Sequence, residues 1–272
     1  MVNKLVLPKI KINMNYGKTK VVLCNDEIQL GKQAASDVSL KMRDLLKVKE
    51  EVKVIFAAGE SQMTFLDALA KEKNIDWNRI VCFNMDDFYD TRMPEKFTCG
   101  YQTRTQLYDK VKPRRAHLVR YNAPDPEEEA RRFESVILEE GDADILCQGI
   151  GTSGHLALNE PFDTDFSEKA LVKVVNLAEQ SKIQLREDPN FKALGYIPSK
   201  GITMTIPALI AAKYIYTIVP LGLKRPILEK LFKLDAITTE LPASVILERE
   251  GKLYIDRNSC PEELLTSFRA ID

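Results

Sequence analysis

Histidine, tryptophan and excess charge are all scarce in this sequence. Its 272 residues include two histidines and one tryptophan, and 39 basic residues nearly balance 40 acidic ones, for a net charge of −1. Proteins devoted to nucleic acids or membrane surfaces normally carry a basic excess. No apolar run approaches the roughly 18 residues that a membrane-spanning helix needs. The sequence therefore predicts neither a nucleic-acid partner nor a membrane association.

Cysteine is also sparse, with five residues and no Cys-x-x-Cys pair. Three of them, Cys24, Cys82 and Cys147, lie in apolar runs, where a thiol behaves as a small apolar group. This usage favours a reducing compartment over a secreted, disulfide-bonded protein. Lysines and a proline interrupt segment 1–18, where a secretory signal would need an unbroken apolar stretch. We therefore expect a cytoplasmic protein.

Apolar residues are plentiful, at 44% of the chain, and they recur in short runs typical of strands. The runs are 20–24, 52–57, 79–84, 143–148, 201–206 and 214–219. Helical patterns separate them, which indicates an α/β fold with a mostly parallel sheet and helices on both faces. Segment 242–256 predicts two further short strands around a turn at 249–252. No linker-like stretch or repeat divides the chain, so we predict a single domain over residues 1–272.

Three helix starts can be placed because residue types preferred at helix N-caps precede the helical patterns. Asp26, Ser61 and Asp125 each stand just before a helical pattern and are predicted N-caps.

Ligands of such folds bind at the carboxyl ends of the strands. Four strand candidates lead there into unusual loops, which read AAGESQ, MDDFYD, GIGTSGHLALNEP and PLGLKRP. Because parallel strands end on one edge of the sheet, we expect these loops to open on the same side.

The first and last of these loops have features of an anion site. Gly59, Ser61 and Gln62 precede a predicted helix, whose first N–H groups and positive end favour phosphate. Lys224 and Arg225 follow another strand, where a cation could contact the same phosphate. Each feature is also compatible with an ordinary turn or a solvated surface.

The second loop carries three carboxylates, Asp86, Asp87 and Asp90. Neighbouring carboxylates repel, so that one can retain its proton to higher pH and act as a base near neutrality. A turn or a helix cap is the alternative. No spacing typical of a metal site accompanies them, and we predict no bound metal.

The third loop places His155 among glycines and five residues before Glu160. An imidazole oriented by a carboxylate can move protons at physiological pH; a buried, purely structural histidine is the alternative. His117 lies in a basic segment and is expected to be structural or exposed.

These loops together resemble one family, the glucosamine-6-phosphate deaminases, also called isomerases. FNMDDFYD is similar to the family's F-N-M-D-E-Y, and GIGTSGHLALNEP to its G-x-G-x-D-G-H-I-A-F-N-E-P. TMTIPAL, LGLK and LPASVIL follow in the family's order, so that the resemblance covers residues 20–260. The family's G-G-T-P reads G-E-S-Q here, at Gly59–Gln62.

The resemblance implies a modified Rossmann-like fold and a hydrolase that converts an amino-sugar 6-phosphate to fructose 6-phosphate and ammonia, without a cofactor. By position, Asp86 matches the base that moves a proton between C2 and C1. His155 matches the acid/base of ring opening, and Glu160 the carboxylate that assists it. Lys224 matches the phosphate-binding lysine, and Arg186 or Lys182 a phosphate-binding arginine. The number of subunits stays open, a homo-oligomer included.

One position departs from the family pattern. Ser153 stands two residues before His155, where the family has an acidic residue. A serine can hydrogen-bond the imidazole but cannot stabilise its charge. Slower ring opening, another substrate, or a substitute carboxylate such as Asp163 are the alternatives. A 6-phosphogluconolactonase-like hydrolase and a non-catalytic sugar-phosphate-binding protein stay open as other functions.

Overall fold

The computed structural model describes residues 14–187 and 189–269, and within them the strands form two sheets. The strands are β1 Met14–Tyr16, β2 Thr19–Cys24, β3 Val52–Phe56, β4 Ile80–Asn84, β5 Asp86–Tyr89, β6 Arg115–His117, β7 Ile145–Gln148, β8 Val172–Asn176, β9 Lys200–Met204, β10 Tyr214–Val219 and β11 Gly251–Asp256. The helices are α1 Glu27–Leu46, α2 Met63–Ala70, α3 Cys99–Thr103, α4 Asp109–Val111, α5 Pro126–Glu140, α6 Glu179–Glu187, α7 Pro189–Leu194, α8 Ile206–Ile210, α9 Arg225–Leu231 and α10 Glu262–Arg269.

The main sheet has eight strands in the order β1-β2-β11-β10-β7-β3-β4-β6. Its neighbouring strands are parallel except for the pair β1–β2, which is antiparallel. The predicted α/β fold with a mostly parallel sheet is therefore confirmed. Strand β7, which leads into the histidine loop, lies between β10 and β3, near the middle of the sheet.

Helices cover both faces of this sheet. In β3, Val54 and Phe56 belong to one buried core and Ile55 to the other, because successive side chains of a strand point to opposite faces. Helices α1 and α2 pack in the first core, and α5, α8 and α9 contribute to the second. Burial on both faces explains why these strands read as continuous apolar runs.

A second, antiparallel sheet has the order β5-β9-β8. In it, Asp86 lies opposite Thr203. The predicted strand at 201–206 therefore belongs to this small sheet, and the predicted loop after residue 84 contains a strand. Hydrophobic periodicity finds strands but does not say which strands pair.

One of the two strands predicted in segment 242–256 is wrong. Segment Pro242–Glu248 is a 3₁₀ helix, with Pro242 in its first turn and a hydrogen bond from Ser244 N to Leu241 O at 2.8 Å. Proline suits a first helical turn, and a short run buried on all sides is ambiguous between helix and strand. The second predicted strand of this region is β11.

Of the predicted caps, Asp26 accepts from Gln29 N, and Asp125 accepts from two N–H groups of α5. Ser61 does not cap α2: a 3₁₀ turn, Glu60–Gln62, precedes that helix, and its N-cap position is Gln62.

All five cysteines are free thiols. Within the described residues, no helix has both the length and the apolar character to cross a membrane. Most of segment 1–18, on which the expected location partly rests, lies outside the described residues. The single domain over residues 1–272 stays a prediction.

Candidate active site

Four strand ends bring the unusual loops together. Strands β10, β7, β3 and β4 are neighbours in the main sheet and run parallel, so their carboxyl ends share one edge. A Cβ at Gly149 would lie 2.9 Å from Gln62 Nε2, which shows how closely the histidine loop approaches the loop after β3. Gln62 Nε2 in turn donates to Ile218 O of β10 at 3.1 Å.

The imidazole of His155 is held through its Nδ1 atom. Nδ1 lies 3.0 Å from Glu160 Oε1 and 2.8 Å from Ser153 Oγ. Ser153 Oγ uses its own hydrogen to donate to Glu160 Oε2 at 2.6 Å. A hydroxyl has one hydrogen, so its oxygen must accept from Nδ1–H. Nδ1 therefore carries the proton, and Nε2 is the nitrogen available to exchange a proton with a ligand.

Close backbone approach sets the position of this imidazole. Gly151 N–H donates to His155 O at 3.0 Å, which folds the loop back on itself. A Cβ at Gly151 would lie 2.0 Å from His155 Nε2 and 2.1 Å from Cε1, far inside contact distance. The ring therefore occupies space that exists only because residue 151 is glycine.

Glu160 is 3% exposed, and both of its oxygens are hydrogen-bonded. Besides Ser153 and His155, it accepts from Ser181 Oγ, which donates to Oε1 at 2.5 Å. Burial alone would raise the pKa of Glu160, but hydrogen bonds and the charge of His155 lower it to about 2. The carboxylate beside the imidazole is thus ionised at neutral pH.

This geometry shows which carboxylate supplies negative charge to His155 although residue 153 is a serine. Asp163, the substitute carboxylate considered from the sequence, instead lies 3.4 Å from Lys173 Nζ. Glu160 itself supplies the negative charge, and Ser153 bridges it to the imidazole. Sequence reasoning missed Ser181, which lies 21 residues after Glu160 and belongs to no motif.

Asp86 is 8% exposed at the start of β5. Burial raises its pKa to about 7, although the nearby His155 charge acts in the opposite direction. Desolvation, rather than the predicted repulsion between neighbouring carboxylates, is the main cause. The carboxyl group can therefore gain and lose a proton near neutral pH, within electrostatic range of His155.

The two other aspartates of this segment have different surroundings. Asp87 accepts from the backbone N–H groups of Phe88, Cys99 and Gly100 at 2.8–2.9 Å, so that it fixes the start of α3. Burial raises the pKa of Asp87 to about 8 against the effect of these donors. Asp90 pairs with Arg92 at 2.9 Å.

Lys224 is 7% exposed, in a 3₁₀ turn after β10. Burial lowers its pKa to about 8, and Glu60 opposes this effect. Among the described residues its ammonium group has no hydrogen-bond or ion-pair partner. An unpaired cation in a buried position is costly, so this site suits an anionic ligand. Arg225 is different, because it bonds Glu262 and two backbone carbonyls.

Polar groups of the loop at Gly59–Gln62 that the sequence suggested for a phosphate already have hydrogen-bond partners within the protein. Gly59 has φ +100°, and its N–H donates to Gln102 Oε1 at 2.6 Å. Gln62 is 1% exposed and donates to Ser61 Oγ as well as to β10. The Gly59 N–H and the Gln62 amide group therefore hold the loop in place. Ser61 Oγ accepts one hydrogen bond, from Gln62, and within the described residues it donates none.

Arg186 and Lys182 lie on α6. They line a cavity of about 500 Å³ together with Glu179 and six of the residues between Phe191 and Ser199, and none of Asp86, His155, Glu160 or Lys224 lines it. Lys182 pairs with Glu179 at 2.7 Å, and Arg186 lies 3.9 Å from the same carboxylate.

No group of three or more His, Cys, Asp or Glu side chains in the described part of the chain is arranged to hold a metal ion. The second histidine, His117, lies on edge strand β6 and contacts Glu140 Oε1 through Nε2 at 2.8 Å. This contact with Glu140 is consistent with the expected structural role of His117.

Alignments with known proteins of similar sequence cover most of the chain. A glucosamine-6-phosphate deaminase of Shouchella clausii is 33% identical over 190 residues, which are 69% of this chain and 74% of that protein. Glucosamine-6-phosphate deaminase 1 of Bacillus subtilis is 28% identical over 246 residues, 88% of this chain and 98% of that one.

Solved structures share the fold. A monomeric glucosamine-6-phosphate deaminase superposes with a TM-score of 0.75 at 24% identity, covering 88% of this chain and 98% of its own. A 6-phosphogluconolactonase of Thermotoga maritima gives a TM-score of 0.69 at 21% identity, with 87% and 98% covered.

Residues 25–255 match the family model described as glucosamine-6-phosphate isomerases/6-phosphogluconolactonase. That span contains strands β3 to β10, which include the whole of the small sheet, and the loops that carry Asp86, His155 and Lys224. The chain therefore belongs to the family of glucosamine-6-phosphate isomerases and 6-phosphogluconolactonases.

Proposed function

We propose that this protein isomerises and deaminates an amino-sugar 6-phosphate, giving a ketose 6-phosphate and ammonia. One observation carries the proposal: Asp86, a buried carboxyl group with a pKa near 7, lies within electrostatic range of His155, whose Nδ1 is fixed by Glu160 and Ser153. Two proton-transfer groups with different environments at one sheet edge suit a reaction made of successive proton transfers. The deaminases among the curated relatives support this reading.

Ring opening is the first step that the sugar needs. The ring oxygen gains a proton, the anomeric hydroxyl loses one, and the C1–O5 bond breaks. Nε2 of His155 can accept the hydroxyl proton and return it to the ring oxygen, while Glu160 stabilises the imidazolium formed between the two transfers. The His155–Glu160 pair is our candidate for this exchange.

Isomerisation and deamination follow on the open chain. Asp86 takes the proton from C2 while the aldehyde oxygen O1 gains one, which gives an enolamine. Asp86 then returns its proton to C1 and the nitrogen loses a proton, which leaves an imine at C2. Water adds to that imine and ammonia departs, so that one water is consumed for each ammonia released. Every step is a proton transfer or the addition of water, and we therefore propose no cofactor.

Lys224 is our candidate for holding the phosphate. Its buried ammonium gains an anionic partner when a phosphorylated sugar binds, and Ser61, on the loop after β3, is our candidate for a second contact. Glu60 stands in this loop where the family has a small residue, and its carboxylate opposes a dianion while helping Lys224 to stay protonated.

We expect Lys224→Met to raise KM for the phosphorylated amino sugar by roughly 10- to 150-fold, since a charge-assisted contact contributes about 1.5–3 kcal/mol. Methionine keeps the apolar stem of the side chain and removes the charge. Steady-state kinetics with phosphorylated and free amino sugar test this. Lys213→Met is the matched control, because Lys213 is exposed at the other end of β10. Equal losses for both sugars would assign Lys224 to structure.

Arg186→Gln should change the same KM by no more than about fivefold, because exposed charges that already face a carboxylate contribute about 0–1 kcal/mol. The Arg186 side chain is 56% exposed beside Glu179. KM for the phosphorylated sugar is the measurement. A loss as large as that of Lys224→Met would place the phosphate against α6 instead.

Ammonium release from glucosamine 6-phosphate tests the function itself. The lactonases of the same fold make a lactonase the second candidate, and hydrolysis of 6-phosphogluconolactone without ammonium release would favour it. Binding of the sugar phosphate without either reaction would indicate a non-catalytic binding protein.

A further inference from the structure

We propose that Ser181 is a positioning residue, which holds Glu160 against His155 and makes this pair depend on the docking of α6. The catalytic consequence rests on the proposed function, but the geometry and one of its tests do not.

The argument starts from where the hydrogen bonds of Glu160 originate. Ser153, His155 and Glu160 belong to one loop, residues 149–160, and their mutual contacts fix them only relative to one another. Ser181 lies outside this loop, on α6, and its Oγ donates to Glu160 Oε1 over a distance of 2.5 Å. Among the described residues, Ser181 is the one side chain from outside residues 149–160 that hydrogen-bonds the Glu160 carboxylate. The position of the carboxylate relative to the rest of the protein therefore depends on Ser181.

Backbone anchoring of the loop does not replace this contact. Asn159 Nδ2 donates to Met204 O at 2.9 Å, and Thr164 Oγ1 donates to Glu160 O at 2.8 Å. The first bond holds residue 159 and the second the main chain of Glu160, and neither restrains the Glu160 side chain. Ser153 restrains Oε2, and Ser181 restrains Oε1, the oxygen that contacts His155.

A hydroxyl suits this position because it is neutral. It donates a hydrogen bond that lowers the pKa of Glu160, and it adds no charge that would cancel the field of the carboxylate at the imidazole. A lysine at residue 181 would neutralise Glu160, and an aspartate would repel it. Serine fixes the geometry and leaves the charge available to His155.

The helix that carries Ser181 packs, through an apolar cluster, against the strand that carries Asp86. Leu185 of α6 and Phe191 of α7 pack in a small apolar cluster with Phe88, Met93 and Phe97. Phe191 is 7% exposed, and its ring centroid lies 5.5 Å from that of Phe88, two residues after Asp86. Helices α6 and α7 therefore contact the Asp86 strand at one end and Glu160 at the other.

Ser181→Ala tests the inference through kinetics. We expect kcat to fall on the order of 10- to 100-fold, because a misplaced catalytic group costs about this much, while KM for the phosphorylated sugar stays within about twofold. Ser181→Thr, which keeps the hydroxyl, should recover most of the loss. Ser135→Ala is the matched control, since Ser135 is an exposed helical serine bonded only to its own helix. Unchanged kcat in Ser181→Ala would overturn the inference.

His155 itself gives a readout that needs no turnover. The chain has two histidines, so His117→Gln assigns their NMR signals without ambiguity. Glu160 and Asp86 are charged groups that interact with His155. If Ser181 holds Glu160 in place, Ser181→Ala weakens the carboxylate–imidazolium contact, and the midpoint of the His155 titration moves to lower pH. An unchanged midpoint would mean a merely structural serine, and a higher one would mean that Ser181 competes with His155; either result overturns the inference.

Docking of α6 is tested by Phe191→Ala, which loosens the aromatic cluster without touching Glu160. The His155 midpoint should fall as it does in Ser181→Ala. An unchanged midpoint would overturn the dependence on docking. Because these titrations use the whole chain without substrate, a failure of the ammonium assay would remove the proposed function and leave the role of Ser181 decided separately.

Discussion

Asp86→Asn should lower kcat for ammonium release by roughly 10²- to 10⁴-fold, the range that general acid–base groups contribute, with little change in KM. Asparagine has nearly the same shape as aspartate, but its amide cannot take a proton from C2 and return it to C1. Lys224 and the histidine loop stay as they are, so substrate still binds.

The pH dependence of the unmodified enzyme follows from the same carboxyl group. A base must be deprotonated to act, and burial raises the pKa of Asp86 to about 7. We therefore expect kcat to rise as pH increases through about 7, whereas an exposed aspartate would be fully ionised well below that pH. The residual rate of Asp86→Asn should lose this rise.

Exchange of the C2 hydrogen with solvent deuterium measures the step directly. The exchange should be absent in Asp86→Asn and retained in Asp90→Asn, a control on the same segment whose carboxylate pairs with Arg92. Turnover and exchange near the normal level in Asp86→Asn would reject Asp86 as the base.

The sheet and the location of the site could be predicted from the sequence because both depend on simple patterns. Strands buried on both faces read as apolar runs, and the carboxyl ends of parallel strands meet at one edge. The loops with Asp86, His155 and Lys224 lie there for that reason. Their residue types are unusual enough to be found without coordinates.

Contacts that depend on distant pairing could not be predicted in this way. Asp86–Tyr89 is a strand because it pairs with Lys200–Met204, more than a hundred residues later. The Gly59 N–H group is occupied by Gln102, which no local pattern connects to it. Ser181 reaches Glu160 only when α6 is docked. Each of these facts comes from tertiary structure, and each changes what its residue can do.

The departure at Ser153 shows the same limit. The sequence has Ser153 where the family has an acidic residue, and it did not show which residue supplies negative charge to the His155 imidazole. In the structure, Glu160 Oε1 lies 3.0 Å from Nδ1, and Ser153 links Oε2 to the ring. One carboxylate and one hydroxyl thus orient the imidazole. An aspartate at residue 153 would stand against Glu160, and two carboxylates in contact cannot both stay ionised without cost.

Gly151→Ala is the second substitution from which we expect a large loss, with kcat falling roughly 10²- to 10⁴-fold, as for removal of the imidazole itself. The added methyl group would lie 2.0 Å from His155 Nε2, so the ring has to turn away. Turning it breaks the Nδ1 contacts with Ser153 and Glu160 and moves Nε2 from the place where it exchanges protons.

The kinetic pattern separates this effect from general damage. Lys224 and Asp86 lie on other loops, so binding of a phosphorylated inhibitor and exchange of the C2 hydrogen in an open-chain substrate should persist in Gly151→Ala. Gly222→Ala is the matched control: there the nearest atom to a Cβ is Asn258 O at 3.7 Å, an ordinary contact. Turnover within a few-fold of normal in Gly151→Ala would show that ring opening does not need the imidazole in this position. Loss of inhibitor binding along with turnover would instead mean that the whole loop had moved, because only a local displacement of His155 leaves the phosphate site intact.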